Sequence, residues 1–169
     1  DGYHGAGVVT IDGNGATITN LKAPLFAGGF AGASGIVIKN LTITDSQIVS
    51  TNTLGSGAFI ESVDSMPNIT LENCTLKNST ITGSRTGGLI GWTAGYSNVS
   101  DGPVKTYITI RDCTVEGNTI MGTGTTGGII GLAGANDWTY HIIDNTTVTN
   151  NRITCSNSDN KGVASIVGT

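Results

Sequence analysis

Four stretches of this chain align without a gap, and that repetition limits its fold more than any other feature. They read IVIKNLTITDSQI from Ile36, ITLENCTLKNSTI from Ile69, ITIRDCTVEGNTI from Ile108 and HIIDNTTVTNNRI from His141, with starts 33, 39 and 33 residues apart. VTIDGNGATIT, from Val9, is a fifth and looser copy with extra residues at Gly13–Gly15. A unit of this size cannot bury its own apolar face, so neighbouring copies must stack to make a continuous core.

The columns of the alignment say how they stack. Ile38, Leu71, Ile110 and Ile143 form one column, Ile43, Leu76, Val115 and Val148 a second, and Ile48, Ile81, Ile120 and Ile153 a third. Within each copy these alternate with polar residues, the period of strands with one buried face. Between them run a threonine column (Thr17, Thr42, Thr75, Thr114, Thr147) and a column of Asn40, Asn73, Asp112 and Asn145. The second of these falls at a bend, where Asn and Asp accept unusual dihedrals. The most telling column is charged: Asp12, Lys39, Glu72, Arg111 and Asp144 alternate in sign. If copies stack in register, each charge meets opposite charges on its neighbours, at about 0.2–1 kcal/mol per pair. Lys77 and Glu116 make a further pair of this kind.

Such stacking predicts an all-β chain, a right-handed parallel β-helix (a β-solenoid) of about five coils, with residues 1–169 as one domain. The hand follows from the strong preference of parallel crossovers for the right-handed sense. A leucine-rich repeat would need a helix-forming segment and an L-x-x-L-x-L pattern, and the chain has neither. Composition agrees: 26 glycines and only 12% charged residues disfavour long helices and suit short strands separated by turns.

Each copy is followed by a word of small and aliphatic residues: GGFAG at 28, GAFIE at 57, GGLIG at 87, GGIIG at 127 and ASIVG at 164. These are expected to be the returning strand of each coil. Leu89, Ile90, Ile129 and Ile130 supply its apolar bulk, and the glycines allow backbones to approach closely at a corner. GGLIG, GGIIG and GGFAG, each trailing an I-x-N-x-T-I strand pair, resemble the GLUG-type repeats of bacterial surface proteins, over Val9 to Gly168. The TIDGNGATITNL…PLFAGG opening also resembles the entry coil of such proteins. The resemblance implies an extracellular or cell-surface module, adhesin-like and structural, and it carries over no catalytic residue.

Chemistry is thinly represented. The net charge is −4 with no basic stripe, so nucleic acid is not an expected partner. No apolar run approaches the length of a membrane span. GTGTTG at 122–127 matches a dinucleotide-binding fingerprint, but GIIGLAG follows where a helix would be required. The two histidines, His4 and His141, face no evident nucleophile. No cofactor and no metal site are expected, because Cys74, Cys113 and Cys155 lie far apart without a CxxC pair. Cys74 and Cys113 share a column, where stacked Cβ atoms about 4.8 Å apart are slightly too far for a disulfide. They read as buried free thiols. The six N-x-S/T sequons, at Asn40, Asn68, Asn73, Asn78, Asn98 and Asn145, follow largely from an Asn bend beside a Thr column.

Two functional classes remain. The first is a non-enzymatic structural or adhesive module. The second is a carbohydrate-active β-helix enzyme, a lyase or hydrolase, which would need two carboxylates about 5–10 Å apart across a groove. Among the carboxylates within the coils, those not claimed by the charge or bend columns are Asp45, Glu61, Asp64 and Asp137, and they are scattered. The candidate ligand-binding residues are aromatic. Trp92, Tyr96, Tyr107, Trp138 and Tyr140 fall in or beside two long spacers, 92–107 and 132–141, that leave the copies just after the glycine-rich words. They could stack on a surface glycan, fill a protein receptor's pocket, or pack on one another. The chain also opens and closes without an evident cap, which suggests a longer repetitive parent or end-to-end self-association into a fibre.

Overall fold

The computed structural model describes residues 7–27, 34–63, 68–94, 105–134, 139–156 and 162–168. Among them the chain is all β, with no helix, and every strand pairing is parallel. The broad sheet begins Val8–Thr19, Gly35–Thr44, Asn68–Lys77. It continues through Thr106–Arg111 with Thr114–Glu116, and then Thr139–Asp144 with Thr147–Thr149. A second sheet holds Gln47–Val49, Thr80–Gly83, Thr119–Gly122 and Arg152–Cys155. Thr86–Gly87, Thr126–Gly127 and Val163–Ala164 make a third, and Ile60–Val63, Ile90–Thr93 and Ile130–Ala133 a fourth.

In each sheet a strand pairs with its counterpart in the next copy, and the register is the one the alignment requires. Ile38 faces Leu71, Leu71 faces Ile110 and Ile110 faces Ile143. The charged column pairs as Asp12, Lys39, Glu72, Arg111 and Asp144 in that order. Ile48, Ile81, Ile120 and Ile153 do the same in the second sheet. The three residues Gly13–Gly15 stand opposite Asn40 alone, so the first strand bulges between Asp12 and Ala16.

Local chemistry explains where each copy turns. Asn14, Asn40, Asn73, Asp112 and Asn145 all have positive φ, between 42° and 55°. A side-chain amide or carboxylate tolerates this left-handed conformation better than other L-residues do. A second bend follows six residues on in the first copy, at Asn20, and five residues on in the others, at Asp45, Asn78, Gly117 and Asn150, with φ from 48° to 67°. Between the bends the aliphatic columns point inward and form one core, in which Ile38, Leu71, Ile110, Ile43, Leu76 and Val115 are fully buried.

The glycine-rich words differ from expectation in two ways. GGLIG is not one strand: Thr86–Gly87 and Ile90–Thr93 belong to different sheets, and the chain turns between them at Gly88 and Leu89. The turn is tight enough that a Cβ on Gly88 would lie 2.2 Å from the carbonyl oxygen of Gly128 in the next copy. The glycine there is steric, since only a missing side chain lets successive backbones lie that close. Second, GGFAG at 28–32 lies outside the described residues, and its expected place is filled by Leu25 and Phe26 instead. The Leu25 amide donates to the Ala58 carbonyl and the Phe26 amide to the Phe59 carbonyl, each at 3.0 Å. The first copy therefore returns through PLFA, with Pro24 where the next two copies carry Ala58 and Gly88 and Phe26 where they carry Ile60 and Ile90.

Candidate functional site

Because strand side chains alternate, the outward face of the broad sheet shows only the residues the core rejects. Three columns cross it: Asn68, Tyr107 and Tyr140; then Thr70, Thr109 and Ile142; then Glu72, Arg111 and Asp144. The inward residues between them, Ile69, Ile108 and Ile110, are buried.

Of the five aromatic candidates, the structure brings two together. Tyr107 and Tyr140 are register partners whose rings stack with centroids 5.2 Å apart and 19° between planes. Both stay exposed, at 41% and 40%. Lys105, exposed and on the same outward side two residues earlier, carries its Nζ 5.7 Å from the Tyr140 ring centroid. Both tyrosines belong to strands, not to the spacers. Trp92 is apart from them, in the fourth sheet opposite Ser62 and Leu132, where it is half-buried beneath the Arg85 guanidinium at 5.2 Å. Arg85 also reaches the Leu54 carbonyl at 3.4 Å, so Trp92 sits under a tied-down arginine. Tyr96 and Trp138 lie outside the described residues.

The charged column is only partly closed. Lys39 meets Asp12 at 3.3 Å and Arg111 meets Glu72 at 2.8 Å. Lys77 and Glu116 are register partners, yet among the described residues they form no ion pair. The Asp12 carboxyl is held below its usual value by the Asn40 amide, which donates to it at 2.9 Å, then by the Asn14 backbone amide and by Lys39. Glu72 raises the Arg111 guanidinium above its ordinary value.

Glu61, one of the unclaimed carboxylates, is buried at 8% exposure and both its oxygens are engaged. Ser50 Oγ donates to one, and Asn52 Nδ2 to the other at 2.9 Å. The Ser50 hydroxyl oxygen accepts from the Asn52 amide and the Asn52 side chain from the Leu54 amide, so Glu61 pins the segment 50–54 against the fourth sheet. Asp45 occupies the second bend and accepts from Thr44 Oγ1 at 2.9 Å. Asp64 and Asp137 lie outside the described residues. Among the described residues no group of His, Cys, Asp and Glu is arranged to hold a metal ion. No helix is long and apolar enough to cross a membrane.

Cys74 and Cys113 are buried free thiols, each within reach of a carbonyl of its own copy, Glu72 and Arg111, and of one in the preceding copy, Ile38 and Leu71 respectively. The neighbouring Cys113 thiol, together with burial, pushes Cys74 up. His141 replaces the isoleucine of its column, and its Nε2 lies 2.8 Å from Thr93 Oγ1; burial lowers its pKa.

A polar column inside the second bend escaped the sequence reading. Ser46, Ser79, Asn118 and Asn151 stand one copy apart and catch each other's backbone amides. Ser79 Oγ accepts from the Ser46 amide at 3.1 Å, Asn118 Oδ1 from Ser79 at 2.9 Å, and Asn151 Oδ1 from Asn118 at 2.8 Å. The signal was present, two residues before the third apolar column in every copy, but serine and asparagine on a turn look like surface.

Compared with family models, with curated proteins and with solved structures, the chain matches none of them.

Proposed function

We propose that the chain is a right-handed parallel β-helix whose four sheets are the faces of successive coils. It serves as a non-enzymatic structural and adhesive module outside the cell, of the kind the GLUG-like words suggest in bacterial surface proteins. The observation that carries this reading is the copy-to-copy register. Apolar, threonine, amide and charged columns all meet their own counterparts in the next copy. Asp12 is spent on that stacking through Lys39 and Asn40, and Glu72 through Arg111, while Glu61 is spent within its own copy on Ser50 and Asn52. A glycosidase or lyase needs a carboxylate free to reach substrate, and Glu61 is both buried and fully engaged.

The test is to incubate the protein with a panel of bacterial and host polysaccharides, measuring retention on each and release of new reducing ends or unsaturated sugars. Retention without product is expected. Product formation that Glu61→Gln abolishes would instead establish the carbohydrate-active enzyme.

A further inference from the structure

We propose that Tyr107, Tyr140 and Lys105 form a subsite for an anionic sugar ring, a uronate residue of an acidic polysaccharide. This rests on reading the chain as an adhesive module and names the ligand class of that module.

Tyr107 and Tyr140 stack on one another, but the column does not continue as aromatics: Asn68 stands next to Tyr107, and Gly35 next to Asn68. A ring needed only for packing would be covered on both faces. On the side away from Tyr140 the register partner of Tyr107 is Asn68, a short amide, and both tyrosines remain about two-fifths exposed. That is a ledge one ring wide, since neighbouring strands are about 4.8 Å apart.

The groups around the ledge are neutral hydrogen-bonders, not an apolar pocket. Asn68 is exposed, Thr70 and Thr109 share the same outward face, and the two phenols contribute hydroxyls. An aromatic face beside neutral donors and acceptors suits a pyranose, which has an apolar C–H face and a rim of hydroxyls. A peptide side chain would want a concave apolar pocket. The charge is set by Lys105, which is exposed and makes no ion pair among the described residues. Beyond Tyr107 the strand next carries a charge at Arg111, four residues on and about 13 Å away at the rise of a strand, and it is paired to Glu72. Lys105 Nζ, beside the Tyr140 ring of the stacked pair and without an ion pair among the described residues, favours a ring bearing a carboxylate over its neutral counterpart.

Titration calorimetry on the folded protein tests this with tetragalacturonate, tetramannuronate and a hyaluronan tetrasaccharide, and with maltotetraose as the neutral control. At least one uronate oligosaccharide is expected to bind, more tightly than maltotetraose and less tightly as salt rises. Tyr107→Ala should weaken it by about tenfold or more, the size of one lost ring contact, whereas Tyr107→Phe should keep most of the affinity. Lys105→Gln should remove the preference for acidic over neutral sugar. Circular dichroism and melting temperature identify any variant that fails to fold, and in that event Tyr107→Phe and Lys105→Gln decide. Binding unaffected by Tyr107→Ala in a folded variant, or no binding to any of the three uronates, overturns the subsite and leaves the structural module standing. Cleavage of the bound oligosaccharide overturns the non-enzymatic reading and leaves the subsite standing.

Discussion

Ile110 and Ile143 hold the same place in successive copies and face each other across a parallel strand pair, yet Ile110 is fully buried and Ile143 only partly. The contrast repeats down the molecule. Val115 is buried and Val148 half-buried; Ile120 is buried and Ile153 half-buried; Ile38 and Ile43 are buried, while Ile11 and Ile18 are not. Residue type is nearly constant along each column, so the difference is positional. A residue in the middle copies has a neighbour above and below, and one in the first or last described copy has a neighbour on one side. Stability in such an array resides in the interfaces between copies as much as in the copies.

Alanine at the two isoleucines should expose this most strongly. Ile110→Ala removes a fully buried side chain between two close-packed neighbours and should cost about 2–5 kcal/mol, transfer and cavity terms together. Ile143→Ala removes the same atoms from a half-wet seat, and should cost less than about half of that. Urea titration of both variants checks it. Equal losses would mean that the last copy is packed as tightly as the middle ones and would break the comparison.

The buried polar column sharpens it on different chemistry. Asn118 is 2% exposed; its amide accepts from Ser79 and donates to the Leu76 carbonyl at 3.1 Å. Asn118→Ala leaves the Ser79 backbone amide buried without its partner, at about 1–3 kcal/mol. Asn151 makes the equivalent bonds, to the Asn118 amide and the Val115 carbonyl, but it is half-buried. Water can replace its side chain there, so Asn151→Ala should cost about 1 kcal/mol or less. Hydrogen exchange at the Ser79 amide, faster in Asn118→Ala than in wild type, would locate the damage.

Periodicity explains why the broad sheet was legible and the corner was not. Ile38, Leu71, Ile110 and Ile143 announce a strand because alternation is a property of neighbouring residues, and their register follows from an ungapped alignment. The charge column gave an independent check, since a slip by one copy would pair like signs. The bend at Asn40, Asn73, Asp112 and Asn145 was equally readable, because positive φ has a residue preference. Gly88 and Gly128 carry no such local message. Their reason is the backbone of another copy 2.2 Å and 2.0 Å from where a Cβ would sit, and a contact between copies leaves only an absence in the sequence. The same holds for the aromatic candidates. Sequence proximity to the spacers suggested one surface, but strand register puts Tyr107 beside Tyr140 and sends Trp92 to another sheet.

His141 turns the comparison into a pH dependence. Its column is otherwise Val9 in the first copy and Ile36, Ile69 and Ile108, the last three at 1% exposure or less, and the histidine stands in the half-buried last described copy. Burial disfavours the imidazolium and lowers its pKa from 6.5. The unfolded chain therefore takes up a proton before the folded one does, and stability present above pH 6.5 is lost as pH falls through that value. The melting temperature should drop modestly between pH 7.5 and pH 5, and His141→Gln should flatten the drop. A slope that survives His141→Gln would assign it to another group.

The smallest effect belongs to the charge ladder, because its members are exposed. Arg111 and Glu72 are in contact at 2.8 Å, with side chains 48% and 34% exposed, so water screens much of the attraction. Glu72→Lys removes that pair and sets a cation between Lys39 and Arg111, reversing two register contacts. A loss of roughly 1 kcal/mol is expected, shrinking as salt is added. Glu72→Gln keeps the size and removes only the attraction, and should cost less. Asp144→Lys is the terminal counterpart: Asp144 faces Arg111 in register on one side, and among the described residues it closes no ion pair. It should cost less than Glu72→Lys because only one neighbour changes sign relation. Equal destabilisation by Glu72→Lys and Glu72→Gln at low salt would show that charge alternation contributes nothing to register. The stacking would then rest on the apolar and amide columns alone.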